Sequence, residues 1–519
     1  MTEPSISRSH PSEPAWALPT FHWGLFGLLV AIKLLIHGLT ANSYGYFRDE
    51  LYFLDCARHM SWGYVDDAPM VAAVFKVALW LGGSLPVIRM IAALIGAGRV
   101  ALTMLLAREM GGRRFAQGLA GLCALVVPVF LGIDSILNVS GLECLFWMGC
   151  VLIIIRILRT GDSRLWLWAG LVAGLGLENK YSLLTFLLAL LIAMLLTPLR
   201  RELAKRWFWL GAGIMVLVFL PTLLWQARHG FPLVEDMENI RRMGKNVVLG
   251  PGAFLKQQIL FLNPLLFPIW LAGLVSLMRN ARLRALGWLY LALLAVMMLL
   301  HAKDYYVAAI YPMLFAAGGV AFEAWFSKQG WGFWPKAALA TPIVAMTLWL
   351  LPSLLPFLPP DQLHAYQVRM GLKSTKLETH HEGALDQRLG DQFGWPEMAA
   401  EVARIYHALP PEERARTAIY AANYGEAGAI NQFGPALGLP PAICAHQAHS
   451  LWGPPDFSGT TFICLGESRE GLERACTSVE QVGEHHHPWG MAEENNPIFL
   501  VRGLKRPLRE MWPTMKHWD

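Results

Sequence analysis

Apolar runs long enough to cross a lipid bilayer recur through almost all of the first 360 residues, and they dictate the fold class. A bilayer core takes about 20 predominantly apolar residues per helix. Such runs fall at 22–40, 85–107, 115–133, 139–158, 164–179, 181–198, 207–227, 256–278, 284–301, 305–325 and 336–357. They predict a polytopic α-helical membrane protein with about eleven transmembrane helices, since in lipid each backbone N–H and C=O must pair within its own segment. Shorter apolar stretches at 50–60 and 68–82 read as interfacial or re-entrant helices inside a first loop spanning 41–84. Composition agrees: only 16% of residues are charged, against about a quarter in soluble chains. Trp, enriched where membrane proteins meet the headgroups, occurs 21 times. Lys33 stands near the middle of the first run, an unusual place for a charge.

Orientation follows from the Lys and Arg of the short loops. Alternate connections carry Arg108, Arg113 and Arg114; Arg156, Arg159 and Arg164; Arg200, Arg201, Lys205 and Arg206; Arg279, Arg282 and Arg284; then Lys328 and Lys336. These are expected to be cytoplasmic, together with the polar tail 1–20, which reads as leading into an uncleaved anchor. An odd number of spans then puts the C-terminal part, 358–519, outside the cytoplasm. There hydropathy falls, 397–406 has helical periodicity, and 417–420 and 460–464 read as short strands, which predicts a mixed α/β domain.

Several functional classes lose support. A net charge of +5 without a basic stripe argues against nucleic acid as partner. There is no phosphate-binding glycine loop or dinucleotide fingerprint. Consecutive His485, His486 and His487 cannot easily face one ion, so a solvated loop is preferred to a zinc site. Of seven Cys, Cys56, Cys123, Cys144 and Cys150 lie in or beside apolar segments. Cys444, Cys464 and Cys476 lie in the polar part and leave open at most one disulfide.

The connections expected outside carry different chemistry: Arg48-Asp49-Glu50, Asp66-Asp67, Asp134, Asn138, Glu143, Glu178-Asn179-Lys180, the mixed-charge loop 228–256, and His301 to Tyr306. Ionisable groups near membrane depth are expensive, and their gathering on one side describes a single outward-facing polar site. Each also has a bland reading. Asp49 and Glu50 suit a helix N-terminus, where the dipole favours acids. Asp66-Asp67 suits a loop turn, and Glu143 suits pairing with a nearby cation. Lys180 and Lys303 could snorkel, and Tyr305 and Tyr306 could belong to an aromatic belt.

The first loop, with Asp49-Glu50 directly after a span, then Trp62-Gly63-Tyr64 and Asp66-Asp67-Ala68-Pro69, resembles the dolichyl-phosphate-mannose–protein mannosyltransferase superfamily. That superfamily includes bacterial relatives such as the lipid A aminoarabinose transferases. Met70 stands where the family commonly has a second proline. Gly174-Leu175-Gly176-Leu177-Glu178-Asn179-Lys180-Tyr181 is similar to a further family segment, as is the stretch from His301 through Lys303, Tyr305 and Tyr306 to Pro312. Asp391 to Glu397 and Asn423 to Ile430 resemble the tail of a bacterial subgroup. The resemblance implies a GT-C type glycosyltransferase of a bacterial inner membrane. Its donor would be a polyprenyl-phosphate sugar, and its acceptor an extracytoplasmic glycan, lipid or protein. Transfer would proceed with inversion and without a covalent glycosyl-enzyme.

Such a transfer needs a base for the acceptor hydroxyl and cations for the departing phosphate. The residues expected to serve are Asp49 as base, with Glu50 orienting it or helping to bind acceptor or metal, and Lys180 and Lys303, with Tyr305 and Tyr306, at the donor phosphate. Arg241 or Arg242 could assist them. Asp66, Asp67 and Glu143 are assigned to the acceptor or an auxiliary role, and a divalent cation is left open. The competing classes are a transporter or lipid flippase, and a relative that binds lipid-linked sugar without turnover.

Overall fold

The eleven apolar runs resolve into helices of three kinds in the structure, a computed structural model that describes residues 18–372, 378–379, 382–454, 457 and 459–519. Residues 1–17 of the expected tail lie outside the described residues. Six helices are long and apolar enough to cross a membrane: Trp23–Thr40, Leu85–Glu109, Val139–Thr160, Arg206–Arg228, Asp304–Lys328 and Phe333–Leu354. Two pairs are bent at a short break, Leu183–Leu195 with Pro198–Ala204 by 107° and Pro251–Leu260 with Pro264–Arg279 by 91°. The remaining three runs, Arg114–Val126, Ser163–Leu177 and Arg284–Leu299, are shorter. Among the described residues, length and composition alone therefore support six spans, or eight with each bent pair as one. Proline explains much of the difference from uninterrupted helices. The second arm of each bent pair starts on a proline, which has no N–H to continue the ladder. The run 115–133 likewise breaks where Val127 turns extended before Pro128.

Glycine sets the closest crossings. A Cβ on Gly170 would meet the backbone of Gly211, and one on Gly211 would meet the Trp166 carbonyl. The Trp166–Leu177 and Arg206–Arg228 helices therefore touch backbone to backbone, as small residues allow inside membranes. Gly273 and Gly318 do the same for Phe267–Arg279 and Tyr311–Lys328.

Lys33 is answered inside the helical core. Its Nζ lies 2.6 Å from Asp134 Oδ2, Arg99 pairs with the other oxygen of Asp134, and all three side chains are at most 1% exposed. The Arg99 guanidinium also lies 4.0 Å from the centroid of the Phe130 ring. This corrects the assignment of Asp134 to an outward-facing site. A carboxylate at such depth is tolerated because two cations face it.

The C-terminal part is built on a five-stranded sheet of order β2-β1-β3-β5-β4. Its strands are β1 (Thr417–Ala421), β2 (Ala442–Cys444), β3 (Thr461–Leu465), β4 (Cys476–Glu484) and β5 (Pro497–Leu504). β1 runs parallel to β2 and β3, while β5 is antiparallel to β3 and β4. Alternation along the strands divides the apolar residues between two faces. Ala418, Tyr420, Phe462, Cys464, Phe499 and Val501 pack on Leu508 and Trp512. Ile419, Ile463, Leu465, Ile498 and Leu500 share a core with the Trp395–Ala408 helix and with Leu51, Phe53 and Leu54 of the first-loop helix Arg48–Arg58. All seven cysteines are free and buried.

The first-loop helix is thus clamped by the sheet-bearing part. The Tyr424–Phe433 helix lies against it through Gly425 and Gly428, one turn apart. A Cβ on Gly428 would come within 2.7 Å of Leu51 Cβ and 3.0 Å of the Leu51 carbonyl oxygen; on Gly425 it would come within 2.6 Å of Arg48 Cγ. Larger side chains at either position would force the helices apart. Asp55 adds polar links, accepting from Asn431 Nδ2 at 2.6 Å and from Arg58 Nη1 at 2.8 Å, with His449 Nε2 at 3.1 Å. Burial pushes its carboxyl up, but hydrogen bonding and charge from His449, with Asn431 and Arg58, prevail and hold it below the ordinary range.

Candidate active site

Asp49 and Glu50 open the Arg48–Arg58 helix, and the fold gives them different tasks. Glu50 is fully buried with both oxygens taken. Oε2 accepts from Phe47 N at 2.9 Å and Arg89 Nη2 at 2.8 Å, and Oε1 accepts from Leu137 N at 2.9 Å. It ties the helix start to the span Leu85–Glu109 and to the loop before Val139–Thr160. Sequence reasoning did not single out Arg89, its ionic partner. Asp49 is half-buried and accepts one hydrogen bond among the described residues, from Tyr424 Oη to Oδ1 at 2.9 Å. Its Oδ2 has no hydrogen-bond partner there.

Around Asp49 the acids accumulate. Asp66 accepts from Tyr52 Oη at 2.8 Å. Burial, reinforced by the charge of Asp236, raises its carboxyl to about 7 despite that hydrogen bond. Burial also raises Asp67, with added repulsion from Asp66 and Asp49 and a counter-pull from Lys180. Neighbouring buried carboxylates cannot both ionise freely, so the Asp66–Asp67 pair tends to hold a proton.

The expected phosphate cations lie beside this group and are held ready by anions. Lys180 Nζ is 3.1 Å from Glu143 Oε2, 3.1 Å from Ser140 Oγ and 4.2 Å from the centroid of the Tyr306 ring. The other Glu143 oxygen accepts from Ser182 Oγ. Lys303 Nζ lies 3.4 Å from Glu378 Oε1. Tyr305 packs edge-on against Tyr306 at 5.0 Å and interacts electrostatically with both Asp49 and Glu378. Ser140, Glu143, Tyr305 and Tyr306, with Phe130 and Cys144, line one small pocket.

Other residues of the expected outer set have structural partners. Asn138 caps the Val139–Thr160 helix, accepting from Ser140 N and Gly141 N. Glu178 accepts from Thr222 Oγ1 at 2.6 Å, and Asn179 Nδ2 donates to the Val139 carbonyl at 2.9 Å. Arg241 and Arg242 are exposed on the Pro232–Met243 helix, where Arg242 pairs with Glu238 at 3.1 Å. Two residues that sequence reasoning left unassigned do reach Asp49's surroundings. One is Tyr424; the other is Arg48, whose guanidinium sits 5.4 Å from the Tyr424 ring centroid. Arg48 was visible only as part of the charged Arg48-Asp49-Glu50 run, and Tyr424 only through the similarity of its segment to a bacterial subgroup.

The three consecutive histidines diverge. His485 is buried, His486 is exposed, and His487 stacks on Phe393 at 5.5 Å. The described residues do bring His446, His517 and Asp519 within metal-ligand reach of one another. The fit is poor. His446 Nδ1 accepts the Tyr424 N–H at 3.3 Å, which leaves the proton on Nε2 facing Asp519 Oδ1 at 3.4 Å. The two imidazoles are stacked at 4.4 Å with 11° between their planes, so one ion could not lie in the plane of both. The geometry is that of a histidine–carboxylate pair.

Residues 66–225 match the family described as dolichyl-phosphate-mannose-protein mannosyltransferase. No curated protein matches the chain in sequence. Among solved structures, ArnT from Cupriavidus metallidurans in the apo state aligns with a TM-score of 0.60 at 16% identity, covering 92% of this chain and 98% of ArnT. The same protein bound to undecaprenyl phosphate aligns with a TM-score of 0.58 at 15% identity, with the same coverage of each chain. At that identity the alignment establishes the fold. The match over residues 66–225, which takes in the second part of the first loop and the following spans, together with the ArnT-like fold, makes this chain similar to the dolichyl-phosphate-mannose-protein mannosyltransferases and to ArnT.

Proposed function

We propose that this protein transfers a sugar from a polyprenyl-phosphate carrier to a hydroxyl acceptor on the extracytoplasmic face of a bacterial inner membrane. The observation that carries the proposal is the Asp49 carboxylate, anchored through Oδ1 and with no hydrogen-bond partner at Oδ2 among the described residues, in a cluster where Asp67 faces both Asp49 and Lys180 and where Lys303 is held by Glu378. The superfamily match and the undecaprenyl phosphate bound by ArnT support the class of donor. The distribution of Lys and Arg among the loops supports the side of the membrane.

In this reading Asp49 Oδ2 takes the acceptor's hydroxyl proton as that oxygen bonds to the anomeric carbon. The bond from the anomeric carbon to the phosphate oxygen breaks, and its electron pair leaves with the polyprenyl phosphate. Lys180 and Lys303 compensate the charge developing there by turning from Glu143 and Glu378 toward phosphate oxygens. Tyr305 and Tyr306 border the same space. A single displacement of this kind inverts the anomeric centre. Glu50 acts by fixing the helix that presents Asp49, and Asp66 and Asp67, partly protonated, suit contacts with a polyol acceptor.

The test is transfer from a polyprenyl-phosphate sugar in membrane preparations. Asp49→Asn preserves shape and the Tyr424 contact, and is expected to lower turnover about 100- to 10,000-fold at unchanged protein level. Wild-type turnover in Asp49→Asn would remove Asp49 as the base. Failure of the wild type to consume any such donor with glycan, lipid or protein acceptors would favour binding or transport.

A further inference from the structure

The residue that touches Asp49 comes from the far end of the chain, 375 positions away. Tyr424 opens the Tyr424–Phe433 helix directly after Asn423, whose side chain caps that helix by accepting from Glu426 N at 2.9 Å. Glu426 in turn accepts from Asn423 N and, at 2.9 Å, from Ala422 N, so the turn that carries Tyr424 is fixed from both sides. Three groups hold the ring itself. Tyr52 lies 4.8 Å away, His446 is stacked at 5.0 Å, and the Arg48 guanidinium faces the ring. His446 is fixed by its Nδ1 contact to the Tyr424 backbone N–H and by Asp519. The phenol therefore has one direction to point, and at its end is Asp49 Oδ1, 2.9 Å away.

We infer that Tyr424 is a positioning residue for Asp49, and that the sheet-bearing C-terminal part thereby completes the candidate active site. The inference rests on the reading of Asp49 as base. Without that bond the half-buried Asp49 carboxylate, on the first turn of its helix, could sample several rotamers. Donation from a rigid phenol selects one and leaves Oδ2 as the oxygen free to accept a proton. The same hydrogen bond makes glycine at 425 and 428 a requirement of the site as well as of packing, because a wider helix spacing would withdraw the phenol.

The experiment compares wild type, Tyr424→Phe, Tyr424→p-aminophenylalanine and Asp49→Asn in steady-state transfer, with folded protein quantified by size-exclusion chromatography. Tyr424→Phe keeps the ring among its neighbours and removes only the donor. The expected result is a kcat lower by about 10- to 100-fold, the size of a lost hydrogen bond to a charged group, with the donor KM unchanged. Tyr424→p-aminophenylalanine, which restores an N–H donor at the same place, should recover most of kcat. An unchanged kcat in Tyr424→Phe overturns the inference, as does a loss expressed in KM or in folded yield alone, or the absence of recovery. Asp49→Asn separates the two levels. If it is inactive while Tyr424→Phe is normal, only the positioning role fails; if it is fully active, the base assignment fails.

Discussion

Removal of the Asp134 carboxylate is expected to be among the most destabilising single changes in the helical core. Lys33 Nζ lies 2.6 Å from Asp134 Oδ2 with both side chains 0% exposed, and Arg99 occupies the other oxygen. At an effective dielectric of about 20, two unit charges at that separation attract by about 6 kcal/mol. Desolvation of the ions offsets most of this attraction, so the intact cluster contributes little net stability. Asp134→Leu leaves two buried cations facing each other with the attraction gone and the desolvation still present. The expected loss is about 3–5 kcal/mol, the range found when one partner of a buried pair is deleted. Lys33→Met in the same background removes one of the stranded charges while keeping an apolar stem, and should recover a substantial part. The assay is reversible denaturant unfolding in detergent micelles for wild type, both single variants and the double, read as a thermodynamic cycle. A single Asp134→Leu within 1 kcal/mol of wild type, or a double variant no more stable than that single, would refute the account.

Two further outcomes are expected. Burial lowers His446 from 6.5 to about 4 against the opposing pull of Asp519, so the unfolded chain binds the extra proton first. Stability at this contact should be complete above about 6.5 and fall as pH drops toward 4, by at most about 3 kcal/mol. His446→Gln should flatten that part of a melting-temperature profile, and an unaltered profile would assign the dependence to other groups. Reporter fusions after Arg114, Arg206 and Arg284 are expected inside and a C-terminal fusion outside; a C-terminus inside would overturn the proposed side of the membrane.

Much of this was legible in the chain. Apolar runs located the helices because in lipid hydrophobicity and backbone pairing impose the same length. β1 and β3 were visible because Thr417–Ala421 and Thr461–Leu465 are buried along their length and almost wholly apolar. β4 was not, since its exposed, mixed sequence is held by pairing with β5, a long-range contact without local signature. The same divide runs through the site. Ionisable residues near membrane depth announced themselves by cost, which drew Asp49, Lys180 and Lys303 into view. That cost does not reveal which charge is neutralised internally. Asp134 looked like a member of the site until Lys33 and Arg99 were seen beside it. Tyr424, an uncharged residue outside the apolar runs, carried no such cost, and its bond to Asp49 is a contact that no local pattern encodes.

The clamp of the Tyr424–Phe433 helix on the first-loop helix also sets a timetable for biogenesis. Asp49 leaves the ribosome early, but its partner follows 375 residues later. At roughly 5–20 residues per second, that interval is about 20–75 s. Through it, Leu51, Phe53 and Leu54 have no sheet to pack against, and the apolar face of their helix is free to lie on the bilayer surface. Nascent chains would thus carry their spans and first loop before the contact between Asp49 and Tyr424 can form. On the proposed reading, competence for transfer would arrive late, once the Tyr424–Phe433 helix and the strands after it are made and these long-range contacts can close.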